Sequence, residues 1–171
     1  MKLKILSRPA ILALALGSFF LVSAINGCKK SSDSSSGSGP SGISATLGGT
    51  AYQSTSVIGV MPNSDSYVFM AGLKVVNGDT LVLEIDIPDT VKVNHVDDVS
   101  AGGFMYTDFH TGKSYAADGF WGHGIVTVTS WDTAGHKIAG VFSGVMQNTS
   151  GANDSLVVTN GHFNNTYLIT P

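Results

Sequence analysis

From Ile43 onward no stretch of the chain repeats its apolar residues at helical spacing; short apolar runs are broken every few positions by Gly, Asn, Asp and Ser. Side chains on a strand alternate between two faces, so a chain patterned this way buries its apolar groups from strands. The 171 residues include 21 Gly, 43% hydrophobic and only 12% charged residues. That is too apolar a mixture to remain disordered, and the length suits a single domain. The expectation is an all-β fold, an antiparallel β-sandwich or flattened barrel of about ten strands, with no helices to alternate with them as an α/β fold requires.

The clearest run is 81–87, where Leu81, Leu83, Ile85 and Ile87 share one face. Glu84 and Asp86 fall on the other, which predicts a strand with one face on the core and one in water. The preceding run, 66–76, is apolar on both faces (Tyr67, Phe69, Ala71 and Leu73 opposite Val68 and Met70) and reads as central. Asn77-Gly78 between them is a hairpin signal, because both residues accept the positive φ of a tight turn. Further strands are expected at 43–47, 51–55, 57–61, 103–107, 113–117, 125–131, 137–146 and 156–167, the last irregular near Asn160-Gly161. Residues 90–96 alternate but run into Asp97-Asp98, which predicts a loop with a short strand. In 137–146 glycines stand at alternate positions on the face of Ile138 and Phe142, leaving room for a large neighbour such as Trp121, Trp131 or Phe163.

The start of the chain has a different character. Lys2, Lys4 and Arg8 precede an uncharged stretch from Pro9 to Gly27, the pattern of a secretory signal. A retained membrane span is the alternative, since about 20 apolar residues cross a bilayer. Cys28, the only cysteine, follows Ile25-Asn26-Gly27, and this resembles the bacterial lipobox, in which the thiol is acylated and the leader is cut just before it. Lys29-Lys30 and a Ser/Gly run up to Gly42 then form a flexible tether. About fourteen such residues hold a domain roughly 20 Å from the lipid. The organisation expected is therefore a signal peptide over 1–27, a lipidated Cys28 with its tether over 28–42, and a β-sandwich domain over 43–171. By resemblance to lipoprotein sorting, the absence of Asp directly after Cys28 implies the outer membrane, facing either the periplasm or the outside. From Cys28 on, six Lys stand against twelve Asp or Glu, a net charge of −6. Lys74, Lys92, Lys113 and Lys137 are the only cations beyond the tether, so nucleic acid is excluded as a partner. With one cysteine, the exported domain has to hold without a disulfide of its own.

The lipobox, the Ser-rich tether, the opening Ala-Thr-Leu-Gly-Gly-Thr-Ala-Tyr at 45–52, the strand Lys-Ile-Ala-Gly-Val-Phe-Ser-Gly at 137–144 and Thr-Asn-Gly-His-Phe at 159–163 together resemble a group of uncharacterised Gram-negative lipoproteins with a small β-sandwich domain. The resemblance implies fold and location. It brings no catalytic residue with it.

Candidate chemistry is sparse. Asp108 and His110 share one face of an extended chain, and His123 or Asp97-Asp98 offer a third ligand, but no metal-binding spacing such as HExxH is present. Phe142-Ser143-Gly144 lies in a strand, not on the sharp turn of a nucleophilic serine. The aromatic loop Gly119-Phe120-Trp121-Gly122, with Tyr106 and Tyr115 just upstream, is the better lead: exposed rings stack on sugars or partner surfaces, although Phe and Trp more often fold inward. Asp79-Thr80-Leu81, Asp89-Thr90-Val91, Asp132-Thr133-Ala134 and Asp154-Ser155-Leu156 resemble the acceptor triplet of a general O-glycosylation system, and the same residues also suit bends that begin strands. The expectation is a lipid-anchored, non-enzymatic binding or structural module of the envelope that needs no cofactor and whose partners are the membrane and an envelope protein or glycan. The alternatives are a glycan or small-ligand binder using the aromatic loop, and a metal-dependent hydrolase.

Overall fold

The computed structural model describes residues 41–62, 67–88, 93–96 and 102–170. The leader 1–27, Cys28, the tether up to residue 40, Asp97-Asp98 and the triplet at 89–91 lie outside the described residues. In chain order the strands are β1 (Gly42–Leu47), β2 (Thr50–Gln53), β3 (Ser56–Pro62), β4 (Tyr67–Val76), β5 (Asp79–Pro88), β6 (Val93–His95), β7 (Gly103–Asp108), β8 (Lys113–Ala117), β9 (His123–Asp132), β10 (Lys137–Asn148), β11 (Ser155–Thr166) and β12 (Leu168–Thr170). No helix occurs among the described residues.

The β4–β5 hairpin follows from its two turn residues. Asn77 and Gly78 have φ of 54° and 91°, the left-handed pair that a two-residue hairpin turn demands, and Val76 pairs with Asp79 across it. The twelve strands form one hydrogen-bonded sheet, antiparallel except where β12 runs parallel to β3, in the order β12-β3-β4-β5-β7-β8-β10-β11-β1-β2, with β9 on β10 and β6 on β9. The sheet is not closed into a barrel.

β10 is the strand on which it folds over. One edge pairs with β11 from Lys137 to Gln147; the other pairs with β9 up to Val145 and then with β8 at Gln147 and Asn148. Glycine makes the branch possible. Gly122, at φ 68°, lies so close to the Val145 carbonyl that no Cβ fits there. At the other corner Ser54 closes against β1, its N–H donating to the Ile43 carbonyl and its Oγ accepting from the Ile43 N–H, while the Thr55 N–H donates to the Leu73 carbonyl of β4. The chain thus leaves β1 and joins β4 within two residues, so the run expected over 51–55 stops at Gln53.

The core lies between the two halves of the folded sheet. Ile43, Val126, Ile138, Phe142, Val158 and Phe163 from one half meet Val68, Met70, Leu83, Ile85, Ile87 and Phe104 from the other, and all are nearly or fully buried. The rings of Phe104 and Phe142 sit 5.3 Å apart across this layer. Of the alternate glycines of β10, Gly140 makes room for a large neighbour as read from sequence, since a Cβ there would overlap the ring of Phe163, whereas Gly144 is crowded by the β9 backbone at His123 and Gly124. The irregularity near Asn160 is a bulge, with Asn160 at φ 52° and the β10–β11 register slipping between Phe142 and Gly144.

The run expected over 156–167 is β11, which ends one residue earlier, at Thr166, where the chain turns into β12 beside β3. Tyr167 makes that turn. Its N–H donates to the His136 carbonyl, its hydroxyl accepts from Trp131 Nε1 at 3.0 Å, and its ring stacks on His136. One expectation needs correction, the water-facing side assigned to β5. Val82 and Glu84 are buried, at 5% and 8% exposure. β5 lies in the middle of the sheet, where Leu73 and Ala71 of β4 and Thr107 and Met105 of β7 stand directly beside these two positions.

Candidate functional site

The loop between β8 and β9 is built around Asp118. Its Oδ1 accepts the N–H groups of Phe120 at 3.1 Å and Trp121 at 2.9 Å, and its own N–H donates to the Trp121 carbonyl. Gly119 and Gly122 supply the positive φ at either end, 80° and 68°. A short polar side chain thus fixes the backbone and leaves both rings on the outside of the turn. Phe120 is 75% exposed; Trp121 is half-buried and meets it edge to face, with centroids 5.1 Å apart. Such a pair presents a rigid apolar surface of the kind that packs on the C–H face of a sugar or on a partner's side chain.

Tyr106 and Tyr115 do not join it. They sit opposite one another on β7 and β8 and point into the sandwich. Tyr106 packs edge to face against Tyr52 at 6.3 Å. Tyr115 donates from its hydroxyl to Asp154 Oδ2 at 2.6 Å, and Lys113 Nζ lies 3.3 Å from the same oxygen. The hydrogen bonds from Tyr115 and Lys113 hold the Asp154 carboxyl below its ordinary value, and the bond to Asp154 pushes the Tyr115 phenol up. These contacts tie β8 to the segment before β11, a structural role.

The metal candidates are dispersed as well. Asp108 Oδ1 accepts the N–H groups of His110 and Thr111 within its own turn, while His110 Nδ1 lies 2.9 Å from Asp79 Oδ1. His123 opens β9 opposite Val145. Among the described residues no three His, Cys, Asp or Glu side chains gather as a metal would require. Of the acceptor-like triplets, Thr133 and Ser155 are exposed and Thr80 is half-buried in β5.

One residue of chemical interest was misplaced by sequence reasoning. Glu84, the only glutamate in the chain, stands on the outward side of β5. Burial, and secondarily the neighbouring Asp86 charge, pushes its carboxyl up from 4.5 to about 7. No hydrogen bond reaches it among the described residues. The signal was available in β4: a strand apolar on both faces implies that its neighbour's outward face is apolar too.

No protein-family model, no curated protein and no solved structure gives a match to this chain.

Proposed function

We propose that the chain is a lipid-anchored protein of the bacterial envelope, acylated at Cys28 and held at the outer membrane by the tether 28–42, whose all-β domain serves as a non-enzymatic binding or structural module. The observation that carries this reading is the single cysteine placed directly after 19 uncharged residues and before a Ser/Gly run. Two or three acyl chains on such a residue suffice for stable anchoring, whereas one is marginal. The scattered positions of Asp108, His110 and His123 favour a module over a metal-dependent hydrolase. Intact-mass analysis of the protein from its native host is the test. A chain beginning at acylated Cys28 is expected; a retained leader, or no incorporation of labelled palmitate, would overturn the proposal. Crosslinking in intact envelopes is expected to recover a discrete partner, and recovery of bulk protein alone counts against a binding role.

A second reading is favoured by the 75% exposure of Phe120 beside Trp121: the loop contacts a glycan or small apolar ligand. In a glycan panel read by tryptophan fluorescence, a response lost in Trp121→Ala and Phe120→Ala supports it. A response unchanged in both variants removes it.

A further inference from the structure

Among the described residues several large apolar side chains stand exposed, and four of them share one surface. Val93, Ile125, Val141 and Val157, each between 38% and 59% exposed, belong to β6, β9, β10 and β11, which are neighbours in that order. The others stand at hairpin turns, in the aromatic loop and on β12. Alternation explains the gathering. Val126, Phe142 and Val158 point into the core, so Ile125, Val141 and Val157 face outward, and Val93 stands opposite the outward Thr127. Val145, opposite Val157, adds a fifth aliphatic group.

Between these groups the surface is polar without being charged. Thr127, Ser143, Gln147, His123 and His162 are interleaved with them, and the outward positions of β1 and β2 continue with Ser44, Thr46, Ala51 and Gln53. Lys137 and Asp132 face each other only at the far end of β10 and β9, and Lys74 reaches only the rim, where its Nζ donates to the Ala51 carbonyl. A strand spacing of about 4.8 Å and a length of about six residues make this face of six strands about 29 Å wide and 20 Å long, on the order of 600 Å². Specific protein pairs bury at least about 1,200 Å² in all, half from each partner, with charged residues depleted at the centre. The face meets both conditions.

Charge decides what can cover it. The chain from Cys28 on carries a net charge of −6, and the opposite outward face of the sheet holds Asp86 on β5, so two copies meeting there would bring like charges together. On the face of β6, β9, β10 and β11 two copies meet without any. Sheets faced with branched side chains pack about 10 Å apart with their strands within about 30° of each other, and a two-fold axis lets one self-complementary patch serve both partners. We propose that the outward face of β6, β9, β10 and β11 joins two copies of this chain as a two-fold pair, with β10 of one copy packed against β10 of the other.

The test is crosslinking with a short bismaleimide in intact cells of the native host. Ser143→Cys, at the centre of the face, is expected to give a product of twice the chain's mass; Ser56→Cys, on the outward side of β3, is not. Adding Val141→Asp to Ser143→Cys sets two like charges against each other and is expected to lower the yield at least tenfold, as is Val141→Lys. Co-expressing the two is expected to restore it, which only a second copy of this chain explains and which shows that both variants fold. Val75→Asp, at an exposed position of β4 outside the face, is expected to leave the yield unchanged. No product at 143, equal products at 143 and 56, a product whose mass contains a different protein, or charged variants that crosslink as Ser143→Cys alone does would each overturn the proposal. The parent, whose only thiol is Cys28, is expected to give no product. A crosslinked parent overturns the anchor reading alone, and the same variants in a Cys28→Ser chain then decide the pairing by the same criteria.

Discussion

Replacing Glu84 by Gln should remove a pH dependence of stability that can be sized from the structure. The carboxyl titrates near 7 in the folded protein, because burial disfavours its charge and Asp86 adds to the effect, and its ordinary value is 4.5. Between those two pH values the folded state keeps a proton that the unfolded chain has released, so stability falls as pH rises. Each pH unit of the interval is worth about 1.4 kcal/mol, and the whole interval makes the fold about 3 kcal/mol less stable at pH 8 than at pH 4 on account of this one group. For a domain of this size that is roughly 10 °C in Tm. Gln has the same shape and no charge, so the variant should be less sensitive to pH and more stable than the parent above pH 7. Carboxylates such as Asp154, held below their ordinary value, add an opposite trend at more acid pH, which is common to both proteins. Urea midpoints followed by the fluorescence of Trp121 and Trp131 from pH 4 to 8 give the difference directly. Parallel curves for the two proteins across pH 4.5 to 7 would refute the reasoning.

Three further outcomes are expected. Gly140→Ala forces a Cβ against the Phe163 ring and the Thr127 carbonyl and should cost about 1 to 3 kcal/mol in urea unfolding, the range of overpacked cores. Tyr52→Phe removes the hydroxyl that donates to the buried Gly72 carbonyl at 2.6 Å; leaving that acceptor unpaired should cost about 1 to 2 kcal/mol, read as a fall in denaturant midpoint at unchanged slope. Phe120→Ala, at a ring three-quarters exposed, should change stability by less than about 0.5 kcal/mol, so any loss of ligand response in that variant reports contact and not unfolding.

Much of the fold was legible before any coordinates. The alternation in 81–87, the two-sided apolar run before it and Asn77-Gly78 between them point to a hairpin, which the structure shows as β4 and β5 paired with Val68 opposite Ile87 and Leu73 opposite Val82. The run 113–117 is β8 itself, and the bulge at Asn160 was visible as Asn-Gly inside an apolar run. The site was less legible. Phe120 and Tyr115 look alike as aromatics near glycines, yet one stands in water and the other is buried with its hydroxyl on Asp154. Loop geometry set by Asp118 separates them, and such geometry depends on which backbone groups a side chain can reach.

Local pattern therefore determined which residues are strands, where the chain reverses and which side of each strand carries apolar groups, because those depend on side-chain alternation and on the φ values that single residues tolerate. Tertiary structure alone decided that β10 carries two neighbours along one edge, that Tyr167 turns the chain from β11 into β12 to reach Trp131 and His136, and that Met105 of β7 stands beside Glu84. Each of these is a meeting of residues far apart in the chain. Whether a carboxyl stands in water or among methyl groups is settled by the strands on either side of it: β4 lies next to β5 in the sequence and carries the signal, whereas β7 is brought beside Glu84 only by the fold.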